Sequence, residues 1–245
     1  VEAFGSEGGT GPNGEAIAPA PAKFEFRRYA ANASAVMTQP PLERLLFLEA
    51  PYLIANNSLG TIDANGEGRL LIVDKTDQAD DNADASKPLA TTDAPMDPGA
   101  FRGDALFNWT DSLALDRSEG TAVMRGSTRL IHRDPSGGTF AQIEGDTLTA
   151  RVREESAQAP LTLEAPFVGQ FMSATVEGSA WLRHNEREMV ADLMTYNAAT
   201  RIVDAMAKPG RMVTLLSPDE STPTSAQRIT WDLAKDRVDV QRLSR

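Results

Sequence analysis

Apolar and polar side chains alternate with a period of two in short runs along much of this chain. Ala105, Phe107 and Trp109 fall on one side of such a run, with Asp104 and Asn108 on the other. Ala122, Met124, Gly126, Thr128 and Leu130 alternate in the same way with Arg125, Ser127 and Arg129, and the run from Ser179 to His184 has the same mixed character. A strand sends successive side chains to opposite faces, so this pattern predicts half-buried β-strands. Turn signals separate the runs: Asp134-Pro135-Ser136-Gly137-Gly138, Glu144-Gly145-Asp146, Lys208-Pro209-Gly210 and Ser217-Pro218-Asp219. Glycine, proline and aspartate each favour a tight connection, for different steric or hydrogen-bonding reasons. Helical periodicity is scarce. Pro41 to Ala50 suits a helix or a buried strand, and a second helical candidate, Asp232 to Val240, is opposed by an internal repeat.

Setting Tyr196 opposite Trp231 brings Tyr196–Asp204 and Trp231–Asp239 into gapless register. Asn197 meets Asp232, Ala199 meets Ala234, Val203 meets Val238 and Asp204 meets Asp239; ahead of them Met194 meets Ile229. Phe107 to Asp111 fits the same frame through Trp109, and Gly103–Leu106 matches Gly145–Leu148, a copy that departs at Arg151. Tyr52 with the run Asp63 to Ile72 reads as a worn first copy. Each copy is strand, Asx-containing turn and returning strand, reaching a glycine such as Gly126, Gly178 or Gly210. One strand pair cannot bury its apolar face alone, whereas stacked copies bury a continuous core. The expected fold class is all-β: repeated antiparallel strand pairs stacked into two layers, with Trp109, Tyr196 and Trp231 forming a ladder along one edge.

Composition sets the boundaries. Residues 1–22 are rich in Gly, Pro and Ala and read as a flexible arm, or as an arm packed on a neighbour. Asp74 to Pro98 clusters Asp77, Asp80, Asp81, Asp84 and Asp93 without the glycine turn and terminal glutamate of an EF-hand, so it reads as a solvated acidic loop. The expected division is an arm over 1–22, a candidate first β-repeat region over 23–75, an acidic loop over 76–98 and the main β-repeat domain over 99–245. The net charge is -11, which repels phosphate backbones and anionic membrane surfaces, so nucleic acid is not expected as a partner. With no cysteine, disulfides and thiolate chemistry are excluded. No apolar run is long enough for a membrane-spanning helix. The chain begins at Val1 with no leader visible, and reads as a processed piece of a longer precursor.

Two segments carry a family resemblance. Ala191-Asp192 leads to Tyr196-Asn197-Ala198-Ala199-Thr200 and Val203; Ala226 leads to Trp231-Asp232-Leu233-Ala234-Lys235 and Val238. With Gly126–Arg133 followed by Ile143–Ala150, they resemble the OstA-like repeats of lipopolysaccharide-transport proteins, over about residues 100–240 and more weakly over 45–75. The resemblance implies a β-jellyroll slightly open like a folded taco, whose apolar interior takes lipid acyl chains. It also implies end-to-end joining of modules and a periplasmic or cell-envelope location, hence export.

Catalytic chemistry has little support. His132 and His184 both read as strand-end edge residues, and no nucleophile elbow, Walker loop or zinc-binding histidine pair is present. Glu154-Glu155 and Glu186 with Glu188 read as solvated faces. No catalytic residue, metal or cofactor is expected. The residues expected to line the apolar interior begin with Phe107, Trp109, Met124, Leu130, Leu148 and Val176. They continue with Trp181, Met194, Tyr196, Met212, Leu215, Ile229 and Trp231. The aromatics among them read as core or cavity lining rather than a carbohydrate platform. The functional expectation is a non-catalytic envelope protein that binds or conveys lipopolysaccharide or another acylated lipid. The alternative is a structural or assembly module that joins a partner protein, or copies of itself, edge to edge.

Overall fold

A computed structural model describes residues 2–4, 9–10, 16–17, 21–29, 42–56, 59–74, 103–133, 139–154, 169–218 and 222–241. The strands are β1 (Glu2–Phe4), β2 (Gly9–Thr10), β3 (Ala16–Ile17), β4 (Ala22–Tyr29), β5 (Leu42–Ala50) and β6 (Tyr52–Asn56). Next come β7 (Thr61–Asn65), β8 (Gly68–Asp74), β9 (Gly103–Trp109), β10 (Ser112–Asp116), β11 (Thr121–Arg133) and β12 (Thr139–Glu154). Then follow β13 (Gly169–His184), β14 (Arg187–Asn197), β15 (Ile202–Met206), β16 (Val213–Leu216), β17 (Thr224–Ala226), β18 (Arg228–Asp232) and β19 (Arg237–Gln241). The described residues contain no helix. Of the segment Pro41 to Ala50, Leu42–Ala50 is a strand, because Leu46, Leu48 and Ala50 alternate into the core between β4 and β8. Asp232–Val240 is the β18–β19 hairpin.

β2 and β3 pair with each other; the other strands form one antiparallel, 17-stranded sheet. Pairing divides this sheet into two layers. The first runs β1–β6–β7–β10–β11–β12–β13–β14–β15–β18–β19. The second runs β4–β5–β8–β9–β11–β12–β13–β14–β16–β17. Strands β11 to β14 belong to both, because their two halves meet different neighbours: β11 pairs with β10 up to Arg125 and with β9 from Arg129 onward.

Between those halves the register slips at Arg125/Thr128, Glu144/Thr147 and Glu177/Ala180. An extra residue on one strand bends it and locally increases its twist. Gly126 and Gly178 supply the conformation, with φ of 75° and 76°. The line of bends continues through Pro51, Gly66-Glu67 and Thr110-Asp111, where shorter strands pass from one layer to the other. We term this line the spine and the two opposite margins the lips. Turns 117–120, 198–201 and 233–236 lie on the lip of the first layer; turn 185–186 lies on the lip of the second.

Glu144-Gly145-Asp146, expected as a turn, lies inside β12, a strand of 16 residues that bends there rather than reversing. Bulges and turns recruit the same residue types, so composition did not separate them. The segment read as a flexible arm contributes strand pairing: β1 joins β6, and buried Ala22 opens β4. The acidic stretch after Asp74 and the turn Asp134–Gly138 lie outside the described residues. On either side of the former, β8 and β9 pair from Gly68↔Trp109 to Asp74↔Gly103, so residues 68–74 and 103–109 belong to one sheet.

Candidate functional site

The inner faces of the two layers are almost wholly apolar, and cross-strand register orders them into rows. Near the lip of the first layer the row is Ile62, Leu115, Ala122, Ala150, Ala174, Tyr196, Val203, Trp231 and Val238. Closer to the spine it is Leu53, Ala64, Leu113, Met124, Leu148, Val176, Met194, Ala205, Ile229 and Val240. The second layer opposes them with Leu48, Leu70, Phe107, Leu130, Ile143, Leu182, Met189 and Leu215. Alanines in the middle of the first layer leave room for rings reaching across. Phe107 meets Phe171 edge-on at 5.6 Å, His132 Nδ1 and the Tyr196 hydroxyl share a hydrogen bond of 2.8 Å, and His184 meets Trp231 edge-on at 5.7 Å. Burying one such large apolar side chain stabilises the fold by about 1.5–3 kcal/mol.

Most of the residues expected inside are there. Phe107, Trp109, Met124, Leu130, Leu148, Val176, Met194, Tyr196, Leu215, Ile229 and Trp231 are buried. Two are not. Trp181 follows the bulge at Gly178-Ser179, across which β13 keeps its parity: Val176, Ala180 and Leu182 point inward, so Trp181 faces out and donates to Glu188 at 3.3 Å. Met212 precedes β16 and is 57% exposed.

The aromatic ladder needs a further correction. Tyr196 and Trp231 flank Val203 in one row, as the repeat requires. Trp109 is not their equivalent. It sits in the second layer at the spine, opposite Gly68, where its indole donates to the Gly66 carbonyl at 2.9 Å. The residue in the row of Tyr196 is Leu115, six positions later. The histidines are strand-end residues, but they are buried against aromatic rings rather than solvated. With Trp109, Tyr196 and Trp231 buried, these aromatics form no exposed carbohydrate platform.

Sequence reasoning missed Phe171, Leu113, Ile143, Leu182 and Met189, all buried. Period-two alternation marks Leu113 with Leu115 and Leu182 with Ala180; the bulge between Phe171 and Ser173 hides the phase at the start of that strand. Arg187 was also missed. It stands beside Glu186 and Glu188 in sequence, yet it reaches across the lips to Asp236, with Nη1 at 3.0 Å from Oδ1.

Electrostatic specialisation is slight. At the spine, the buried Asp192 carboxylate accepts the Lys208 backbone N–H at 2.8 Å and Arg211 Nη1 at 2.6 Å, and these donors hold its carboxyl below the usual range. Burial pushes the Tyr196 hydroxyl above its ordinary value. Among the described residues no group of three or more His, Asp or Glu side chains is placed to hold a metal ion.

No protein-family model matches the chain, and no curated protein matches it. A solved structure shows a partial likeness: LptH of Pseudomonas aeruginosa, described as the LptA-homologous periplasmic component of the lipopolysaccharide transport device. Its identity is 16% and its TM-score 0.39, over 52% of this chain and 76% of that one.

Proposed function

We propose that this chain is a non-catalytic module that holds the acyl chains of a lipid, of the lipopolysaccharide type or another acylated lipid, between its two β-layers. The observation that carries the reading is an asymmetry at the C-terminal end. Beyond β14 the first layer continues through β15, β18 and β19, while the second ends at β16 and β17. The inner rows therefore run past their cover. Val238 and Val240 extend the rows of Trp231 and Ile229, and Val240 is 39% exposed. An apolar inner face left uncovered at one end suits a flexible hydrocarbon chain. Elsewhere the interior is filled, so an acyl chain enters there by parting the layers.

The assembly reading is favoured by one feature: β19 pairs with β18 on one side and with no strand among the described residues on the other. An uncovered strand edge accepts another strand. Native mass spectrometry of the purified chain separates the two readings. A co-purifying acylated species supports the lipid reading; concentration-dependent oligomers with no adduct, and none after incubation with acylated lipids, support assembly and defeat it.

A further inference from the structure

The lips are joined near the uncovered end by a compact polar contact. Arg187 opens β14, and its cross-strand partner is His184, whose side chain lies inside. The Arg187 side chain reaches the first layer's lip turn, where Nη1 donates to the Asp236 carbonyl at 3.2 Å and to Asp236 Oδ1 at 3.0 Å. The indole of Trp231 donates to the same Oδ1 at 3.1 Å, and the His184 ring packs edge-on against that indole. Asp236 has a φ of 50°, a backbone conformation that aspartate tolerates, so its carboxylate is held at the turn.

Three properties of this contact bear on its role. It lies at the margin farthest from the spine, where separation of the layers is greatest for any change in the angle between them. It ties the second layer to β18 and β19, the strands that outrun their cover. Both charged partners are partly exposed, Arg187 at 27% and Asp236 at 47%, so the pair is weak, screened by salt and readily broken. Such a contact suits reversible closure better than permanent stability.

We propose that Arg187, Asp236 and Trp231 form a latch that sets how often the C-terminal ends of the two layers part, and so governs admission of an acyl chain. The admission half of this inference rests on the lipid reading above; the latch itself does not.

The test uses the absence of native cysteine. Glu186→Cys and Ala234→Cys place spin labels on exposed positions of the two lip turns, and pulsed electron resonance reads the distance between them. The parent is expected to show one dominant short distance. Arg187→Gln and Asp236→Asn are expected to raise a longer-distance population roughly twofold to fivefold, the size expected for a partly exposed charged contact. Arg187→Lys, which keeps the charge, is expected to restore most of the short distance, and 1 M salt to move the parent toward the variants. The fluorescent fatty acid cis-parinaric acid is expected to bind faster in the variants with longer distances. Unchanged distances in both Arg187→Gln and Asp236→Asn would overturn the latch. Longer distances with no cis-parinaric acid bound by any variant would keep the latch and remove the lipid reading.

Discussion

Gly126→Ala tests the spine, on which the two-layer arrangement depends. The residue has a φ of 75°, a left-handed conformation that costs an L-residue about 1–2 kcal/mol. A Cβ there would also overlap the carboxyl group of Asp111. Asp111 must then swing aside, losing its contact with the Thr110 hydroxyl at 3.0 Å and adding about 1 kcal/mol of rotamer strain. The sum is about 2–3 kcal/mol. Two comparisons separate the terms. Gly210 has a φ of 84° with nothing within 4 Å of an added Cβ, so Gly210→Ala carries the backbone term alone. Asp111→Ala removes the obstructing carboxyl, so it should recover about 1 kcal/mol when combined with Gly126→Ala. Urea unfolding with a common slope reads all four proteins as midpoint shifts. The reasoning fails if Gly126→Ala costs no more than Gly210→Ala, or if removing the Asp111 carboxyl recovers nothing.

Other outcomes follow from the inner rows and the spine. Trp231→Ala should cost about 3–5 kcal/mol by leaving a cavity, while Met212→Ala should stay within about 0.5 kcal/mol; equal costs in denaturant titration would refute the assignment of inside and outside. Asp192 should make stability pH-dependent. Its folded carboxyl titrates below the ordinary value of 3.8, so the unfolded chain binds more protons and this contribution is complete above that value. It is lost as pH falls through the lower folded value. The difference between the parent and Asp192→Asn should therefore shrink on acidification, and a difference unchanged down to about pH 2 would contradict the assignment.

How far the sequence could be read depends on what each signal encodes. Alternation along Ala105–Trp109 and Ala122–Leu130 marked strands and their buried faces correctly, because a strand's side-chain period holds wherever the strand is regular. The pairing of Tyr196 with Trp231 was legible because two consecutive hairpins place them in one row, separated only by Val203. The same reasoning misplaced Trp109 and Trp181 for different causes. Trp109 ends β9 at the spine instead of crossing it toward the lip, and Trp181 has the opposite parity to Val176, Ala180 and Leu182 on a strand whose inward set is unchanged through its bulge. Phase is lost instead on β12 and β14, where the inward set changes parity between Ile143 and Leu148 and between Ala191 and Met194. Arg187 was unreadable for a different reason: its partner lies 49 residues away, across two layers that no local pattern relates.

The packed interior limits how such a module can hold a lipid. Each buried methylene contributes about 0.8 kcal/mol, so ten of them contribute about 8 kcal/mol. Over the middle of the sheet, insertion would displace side chains such as Phe107, Leu130, Leu148 and Tyr196, each worth about 1.5–3 kcal/mol where it stands, so little is gained. At the C-terminal end the opposing terms are smaller. Val238 and Val240 have no full cover to lose, and the contacts across the lips there are the His184–Trp231 ring pair and a partly exposed ion pair. On the proposed lipid reading, the balance favours acyl-chain entry at β18 and β19 over the middle of the sheet, and the strength of the lip contact becomes the variable that tunes it.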